Sequence, residues 1–110
     1  MLEIKADGSI RLTRGDTAKL TVKLKYEGTN DSYIIRPTDK FTLTVKKSVK
    51  DTVALVQKVV VGSNNIKINP EDTQDLAFGK YKYDVQLTTA DGEVYTIIDP
   101  ATFEVAEGVT

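Results

Sequence analysis

The sequence contains no cysteine and no histidine. Without cysteine the chain has no disulfide, no thiolate nucleophile and no thiolate metal site. Without histidine it also lacks the commonest acid–base group and the commonest metal ligand. Carboxylates, Ser or Thr hydroxyls, Lys and Tyr are the groups left for catalysis. These absences exclude most enzyme chemistries; our expectation is that the protein is not an enzyme and has no catalytic residues, no cofactor and no metal site.

Excess charge and long apolar runs are missing as well. Lys and Arg number 15 against 16 Asp and Glu, so the net charge is −1. This balance gives no general attraction to nucleic acid or to an acidic membrane surface. The chain has no apolar run long enough for a membrane span, and its start, Met-Leu-Glu-Ile-Lys, lacks a secretory signal pattern. We expect no nucleic-acid or membrane partner, and retention in a cytoplasm or release by lysis.

Aromatic residues are few, at 7% of the chain with no tryptophan. Hydrophobic residues nevertheless make up 40% of the 110 residues, which is ordinary for a globular chain of this length. The length suits one domain, and no repeat or linker divides it. We therefore expect a single domain over residues 1–110.

Alternation of apolar and polar residues is the dominant pattern. It is clearest where Tyr81, Tyr83, Val85 and Leu87 share one face of an extended segment, which predicts a central, half-buried strand. Similar patterns predict further strands at Ala18–Tyr26, Phe41–Val45, Ile66–Ile68, Val94–Ile98 and Phe103–Val105, and a kinked strand or short hairpin over Leu2–Thr13. Val53–Val61 is ambiguous, and its β-branched residues favour a strand at an edge or with a bulge.

Turn residues separate these segments. Asn69-Pro70 followed by acids predicts one helical turn from about Pro70 to Leu76. Asp91-Gly92 predicts a two-residue type I′ hairpin turn with positive φ at Gly92. Asp99-Pro100 predicts a break between two strands.

About seven or eight short strands with regular turn signals and one helical turn predict an all-β fold. The interpretation that we favour is an immunoglobulin-like antiparallel β-sandwich. In that fold a tyrosine hydroxyl of the central strand bonds to the backbone of the preceding corner, near residues 72–79.

Three polar motifs have a structural explanation and a functional one. Arg14-Gly15-Asp16 has the letters of an integrin-binding tripeptide, but Gly-Asp is typical of a turn. The acids Glu71, Asp72 and Asp75 lack the spacing of a calcium loop or a catalytic pair and suit a helix start. Lysines on predicted outward positions favour a solvated sheet face over a polyanion site; these are Lys19, Lys23, Lys25, Lys46, Lys47, Lys80 and Lys82.

Two apolar features are candidates for binding. Tyr26, Tyr33 and Tyr95 are candidates for an aromatic platform that binds a sugar, although the core needs most of the aromatic residues. Val53–Val61 carries more apolar residues than one buried face requires. The candidate partner-binding edge consists of Val53, Leu55, Val59 and Val61.

Several blocks of the chain resemble a known group of proteins. They are Ile66–Thr73, Gly79–Leu87, Asp91–Ile98 and Phe103, with the opening Arg14–Thr17. They resemble small proteins of phages and prophages of Gram-positive bacteria, a group similar to the N-terminal domain of the phage baseplate upper protein family. The resemblance spans most of the chain, roughly from Ile10 to the end, and includes no catalytic residue.

This resemblance implies a virion structural or assembly protein in a tail or baseplate, assembled in the host bacterial cytoplasm. Its partners would be other tail or baseplate proteins, or other copies of itself. One alternative is a surface-displayed sandwich that binds a carbohydrate or host ligand, which an exposed aromatic cluster in a groove would favour. A weaker alternative is a hydrolase that uses carboxylates, which two facing carboxylates in a deep pocket would favour.

Overall fold

The computed structural model describes residues 2–4, 9–24, 31 and 33–107. In this part of the chain the secondary structure is eight strands and one short helix, so the all-β prediction is confirmed. The elements are β1 (Leu2–Ile4), β2 (Ile10–Thr13), β3 (Ala18–Thr21), β4 (Lys40–Lys46), β5 (Val56–Val61), β6 (Asn65–Ile68), α1 (Pro70–Gln74), β7 (Gly79–Thr88) and β8 (Val94–Ala106).

The strands form two sheets. The larger has six strands in the order β1-β2-β8-β7-β4-β5, and the smaller pairs β3 with β6. All pairs are antiparallel except β2 and β8, which run parallel from Ile10 opposite Phe103 to Thr13 opposite Ala106. The prediction of a purely antiparallel arrangement is therefore wrong. Alternation along a strand identifies its buried face but carries no information about the direction of its neighbour.

The buried faces are those that the alternation predicts. Tyr81, Tyr83, Val85 and Leu87 of β7 are all buried. They belong to one core cluster that takes residues from both sheets, including Phe41, Leu43 and Val45 of β4, Leu20 of β3, and Ile66 and Ile68 of β6. The rings of Tyr83 and Phe103 meet edge to face, with centroids 6.1 Å apart. The strand with the clearest alternation is thus central in the larger sheet and contributes to the core.

The corner before β7 has the predicted tyrosine contact. The hydroxyl of Tyr81 donates to the carbonyl oxygen of Ala77 at 2.7 Å, which satisfies a polar atom on a buried side chain. The helix begins at Pro70, as predicted, and ends at Gln74, two residues earlier than expected. Asn69 N–H donates to a carboxylate oxygen of Asp72 at 2.7 Å, which satisfies one of the free donors at the helix start.

The β7–β8 hairpin differs from the predicted turn in type. Gly92 has φ +83°, as predicted, but Asp91 has negative φ, which a type I′ turn does not allow. Thr89 N–H donates to Glu93 O at 2.9 Å and Gly92 N–H donates to Thr89 O at 3.0 Å. The connection therefore has three residues and needs the left-handed conformation only at the glycine, so the two-residue prediction is wrong.

Three strand boundaries also differ from the predictions. β8 continues through Pro100. Opposite this part of β8, the β7–β8 register shifts between Tyr83 and Gln86, and this irregularity in the hydrogen-bond ladder accommodates the proline. β5 begins at Val56, so the first part of the ambiguous segment lies outside the strand. β3 ends at Thr21, although Val22 N–H still donates to Asn64 O at 2.9 Å. The predicted continuation through Lys25 and Tyr26 lies outside the described residues.

Candidate functional site

β5 is the outermost strand of the six-stranded sheet, as an edge assignment of this segment predicts. Its side chains alternate between the core and the solvent. Val56 is 7% exposed, whereas Val59 and Val61 are 51% and 62% exposed. The outward face of an edge strand therefore carries two valines that are more than half exposed.

Val53 and Leu55 precede the strand and are also exposed, by 68% and 43%. Leu55 N–H donates to Val45 O at 2.8 Å, so the backbone already lies beside β4 at this point. Within β5, Val59 and Val61 are two residues apart and share the outward side, and Leu55 is exposed immediately before the strand. We call Val53, Leu55, Val59 and Val61 the β5 stripe.

Exposed apolar side chains are concentrated around the β5 stripe. Among the described residues, nine large hydrophobic side chains are exposed, and five of them lie within residues 49–61: Val49, Val53, Leu55, Val59 and Val61. Scattered exposed hydrophobic residues are normal, whereas a concentration of them marks an interaction surface. The role of the stripe in binding stays a prediction.

Lys58 is the single charged residue of β5, and it does not protect the edge. Its ammonium lies 2.9 Å from a carboxylate oxygen of Asp72, with both side chains mostly buried. Edge strands usually carry charges, proline or bulges that prevent pairing with another chain. From Val56 to Val61 the strand has no proline or glycine. Within β5, these common protections against strand pairing are therefore missing.

Arg14-Gly15-Asp16 forms a turn that is bound to the rest of the fold. Asp16 N–H donates to Thr13 O at 3.1 Å, and Gly15 N–H donates to the buried Thr73 hydroxyl at 2.9 Å. The Arg14 guanidinium lies 4.1 Å from the centre of the Phe78 ring. These contacts support the turn interpretation, and no local pattern in the sequence predicts the link from Gly15 to α1.

The acids lie in or beside α1, whereas the lysines are spread over three strands, with Lys46 directly opposite Lys82 in the β4–β7 ladder. Asp72 is engaged with Asn69 and Lys58. Among the described residues, no group of three or more acidic side chains is placed to hold a metal ion. The described lysines of the proposed basic set lie on different elements: Lys19 is in β3, Lys23 follows it, Lys46 is in β4, Lys47 follows it, and Lys80 and Lys82 are in β7.

A groove brings together two of the three candidate tyrosines. Its volume is about 630 Å³, and its lining includes Tyr33, Tyr95, Arg36, Asp91 and Glu93. The Tyr33 hydroxyl donates to a carboxylate oxygen of the buried Asp39 at 2.7 Å. The Tyr95 hydroxyl donates to the Glu93 carboxylate. The third candidate, Tyr26, lies outside the described residues.

Asp39 is a residue that sequence reasoning missed. Its side chain is fully buried, and one of its oxygens accepts hydrogen bonds from Tyr33 and from Arg36 N–H, the latter at 2.9 Å. Burial alone would raise the pKa of Asp39, but these hydrogen bonds and the nearby Arg36 charge hold the pKa below its usual value. The signal in the sequence is Arg36-Pro37-Thr38-Asp39, a turn with proline at its second position.

Comparison of the chain with protein-family models and with curated proteins finds no match. Within the described residues, no helix is long and apolar enough to cross a membrane.

Proposed function

We propose that this chain is a non-enzymatic structural or assembly protein of a phage tail or baseplate, and that it binds its partners through the β5 stripe. The observation that carries the proposal is the exposure of all four stripe residues, from 43% to 68%, at the edge of the larger sheet. The phage assignment rests on the resemblance of the blocks described above. It places the working protein in a virion that assembles in the host bacterial cytoplasm.

The fold that we propose for this role is an immunoglobulin-like sandwich. Two features support it: the bond from the Tyr81 hydroxyl to Ala77 O after a helical turn, and a core that takes side chains from both sheets. Such a domain works by presenting strand edges and loops to neighbours.

The chemistry of the β5 edge supports contact with protein. A strand added beside β5 would gain backbone hydrogen bonds, while the stripe would lose exposed apolar surface worth roughly 25 cal/mol per Å². Lys58 would not oppose this contact, because its charge is already paired with Asp72. The same edge suits another copy of the chain or a neighbouring tail protein.

The proposal is tested by co-expressing the chain with the tail and baseplate proteins of its own locus. We expect at least one of them to co-purify, or the isolated chain to self-associate in light scattering. Val59→Lys and Val61→Lys should weaken the contact by at least about tenfold, because each places a charge in an apolar interface.

Ile34→Lys is the matched control, since Ile34 is exposed by 77% and lies outside the strands. It adds the same charge in place of another exposed hydrophobic residue and should leave association unchanged. An equal loss of association in Val59→Lys, Val61→Lys and Ile34→Lys would contradict the proposal that the β5 stripe forms the contact. A strict monomer that captures none of these proteins but binds cell-wall glycans on an array would replace this proposal with the ligand-binding alternative.

A further inference from the structure

Among the described residues, the first half of β8 pairs with a neighbouring strand on one side only. β7 pairs with one side of β8 along its length, whereas β2 pairs on the other side only with Phe103–Ala106. In the part of the chain that the structure describes, no strand pairs with the second edge of residues 94–102. In the strand order, this edge of β8 faces away from β7, β4 and β5. It is therefore separate from the β5 stripe.

The hairpin geometry shows which backbone groups face this edge. Thr89 N–H donates to Glu93 O, so the polar backbone groups of Glu93 point toward β7. Thr88, Leu87 and Gln86 then pair in regular register with Val94, Tyr95 and Thr96. Because successive residues of a strand point their N–H and C=O groups to opposite sides, those of Val94 and Thr96 point away from β7. They are the groups that an added strand would bind.

An apolar groove runs along the same end of β8. Tyr95 stands opposite Leu87 in the ladder, so the two side chains are on the core face of the sheet. Leu87 is 3% exposed, whereas Tyr95 is 49% exposed. Leu24 and Ile97, both partly buried, also line the groove. Tyr95 therefore faces the core side but is only half covered, beside the part of β8 that has no described neighbour on its second edge.

The charges at the hairpin end of the groove are mainly negative. Asp91 and Glu93 lie on the hairpin, and Arg36 lines the groove with them. The hydroxyls of both tyrosines already donate to carboxylates, which fixes their rings as apolar walls. A partner that fits would be extended, would place apolar side chains in the groove and would carry a basic residue beside the hairpin.

We propose that the second edge of β8 at Val94–Thr96 binds an extended peptide segment of a partner protein as an additional strand. Backbone pairing with Val94 and Thr96 supplies the affinity, and the alternate side chains of the peptide enter the groove beside Tyr95. Asp91 and Glu93 select a Lys or Arg at the hairpin end through charge complementarity. The proposal does not depend on the β5 stripe or on the phage assignment.

The test uses blocked hexapeptides of the form Lys-x-Thr-x-Thr-x, in which x is Val, Ile, Leu, Phe or Tyr. They are titrated against the full chain up to millimolar concentration and followed by amide NMR shifts. We expect at least one peptide to bind and to shift the amides of Val94 and Thr96. If none binds, the proposal is overturned.

Two N-methylated analogues of the best peptide test backbone pairing, one methylated at the x positions and the other at the Thr positions. Only one set of N–H groups can face β8, so one analogue should bind at least about tenfold more weakly while the other binds like the parent. Equal binding by both analogues would contradict strand addition. Hydrogen exchange gives a second measurement on the free protein, in which Val94 and Thr96 amides should exchange much faster than the Tyr95 amide. Slow exchange at all three positions would show that the edge is already covered.

Variants of the chain test this site directly. Thr96→Pro removes a donor that points away from β7, so it should preserve the β7–β8 ladder and weaken peptide binding by at least about tenfold. Asp91→Lys should reverse the preference from Lys-ended to Glu-ended peptides. Val49→Lys is the control and should leave peptide binding unchanged, because Val49 is exposed and lies outside both the groove and the β5 stripe. Binding of glycans that requires Tyr95, with no peptide binding, would overturn the proposal in favour of a carbohydrate site.

Discussion

At the scale of single residues, Asp39 shows how a charged side chain is tolerated in this core. It has no exposed surface, yet its carboxylate accepts hydrogen bonds from Tyr33 and from the Arg36 backbone. The backbone of Asp39 is also hydrogen-bonded on both sides. Its N–H donates to Arg36 O, and its carbonyl oxygen accepts from Gly62 N–H. The residue joins the loop before β4 to the end of β5, and it orients one tyrosine of the groove.

Asp39→Asn should lower stability at neutral pH and flatten its pH dependence. The pKa of Asp39 lies below its ordinary value of 3.8, so its charge stabilises the folded state above about pH 4. That contribution is lost as the pH falls through the folded-state pKa. We expect the substitution to cost about 1–3 kcal/mol at pH 7, since hydrogen bonds to a buried charge are replaced by weaker ones. Urea unfolding at several pH values between neutral and strongly acidic measures both effects.

Asp91→Asn is the control for this experiment, because Asp91 is exposed on the hairpin. It should change stability by less than about 0.5 kcal/mol. A variant at position 39 that matches the wild-type free energy of unfolding at every pH would show that the buried carboxylate has no stabilising role.

At the scale of elements, the Lys58–Asp72 contact connects β5 to α1. One Asp72 oxygen is 2.7 Å from Asn69 N and 2.9 Å from Lys58 Nζ, so a single carboxylate serves the helix start and the edge strand. The alternation in β5 directs Lys58 away from the exposed stripe. The arrangement neutralises the one charge on this strand and leaves its outward face apolar.

Asp72→Ala should destabilise the protein by about 1–2 kcal/mol, because it removes both the helix cap and the ion pair. Lys58→Met should cost less, about 0.5–1 kcal/mol, since the methionine keeps the apolar stem. Urea unfolding of the wild type, the two single variants and the double variant gives the coupling energy, which we expect to be about 0.5–1 kcal/mol.

Glu71→Ala is the control within the same helical turn. Its side chain is exposed, so the change should be within about 0.5 kcal/mol. A coupling energy of zero between Lys58 and Asp72 would mean that the helix cap alone explains the role of Asp72.

At the scale of the whole molecule, the parallel β2–β8 pair attaches the N-terminal part of the chain to the end of the sheet. Ile10 and Leu12 are buried, and they stand opposite the buried Phe103 and Val105. The beginning and the end of the described chain therefore complete one core together. This contact is long-range, and its stability reports on the whole fold.

Leu12→Ala should cost about 2–5 kcal/mol, as expected for a fully buried leucine whose removal leaves a cavity. Arg11→Ala is the control on the same strand, because the Arg11–Glu104 contact is 3.9 Å long and solvent-exposed. It should cost less than about 1 kcal/mol. Thermal and urea unfolding compare the two. A loss below about 1 kcal/mol for Leu12→Ala would show that β2 is not integral to the core.

Local patterns in the sequence determined the strand faces, the helical turn and the positions of the turns. The buried face of β7, the start of α1 at Pro70 and the positive φ of Gly92 depend on alternation, proline geometry and glycine freedom, which act over a few residues. The bond from Tyr81 to the preceding corner is also short-range. The exposure of the stripe was foreseeable because Val53–Val61 has more apolar residues than one face can bury.

Only the tertiary structure decided how these segments are joined. The parallel direction of β2, the continuation of β8 through Pro100 and the burial of Asp39 each depend on partners outside the local pattern. Strand pairing is set by burial and register between distant segments, and an alternating pattern is equally compatible with either direction. Within the described residues, the unpaired side of β8 has the same origin, because the long strand β8 extends beyond its short partner β2.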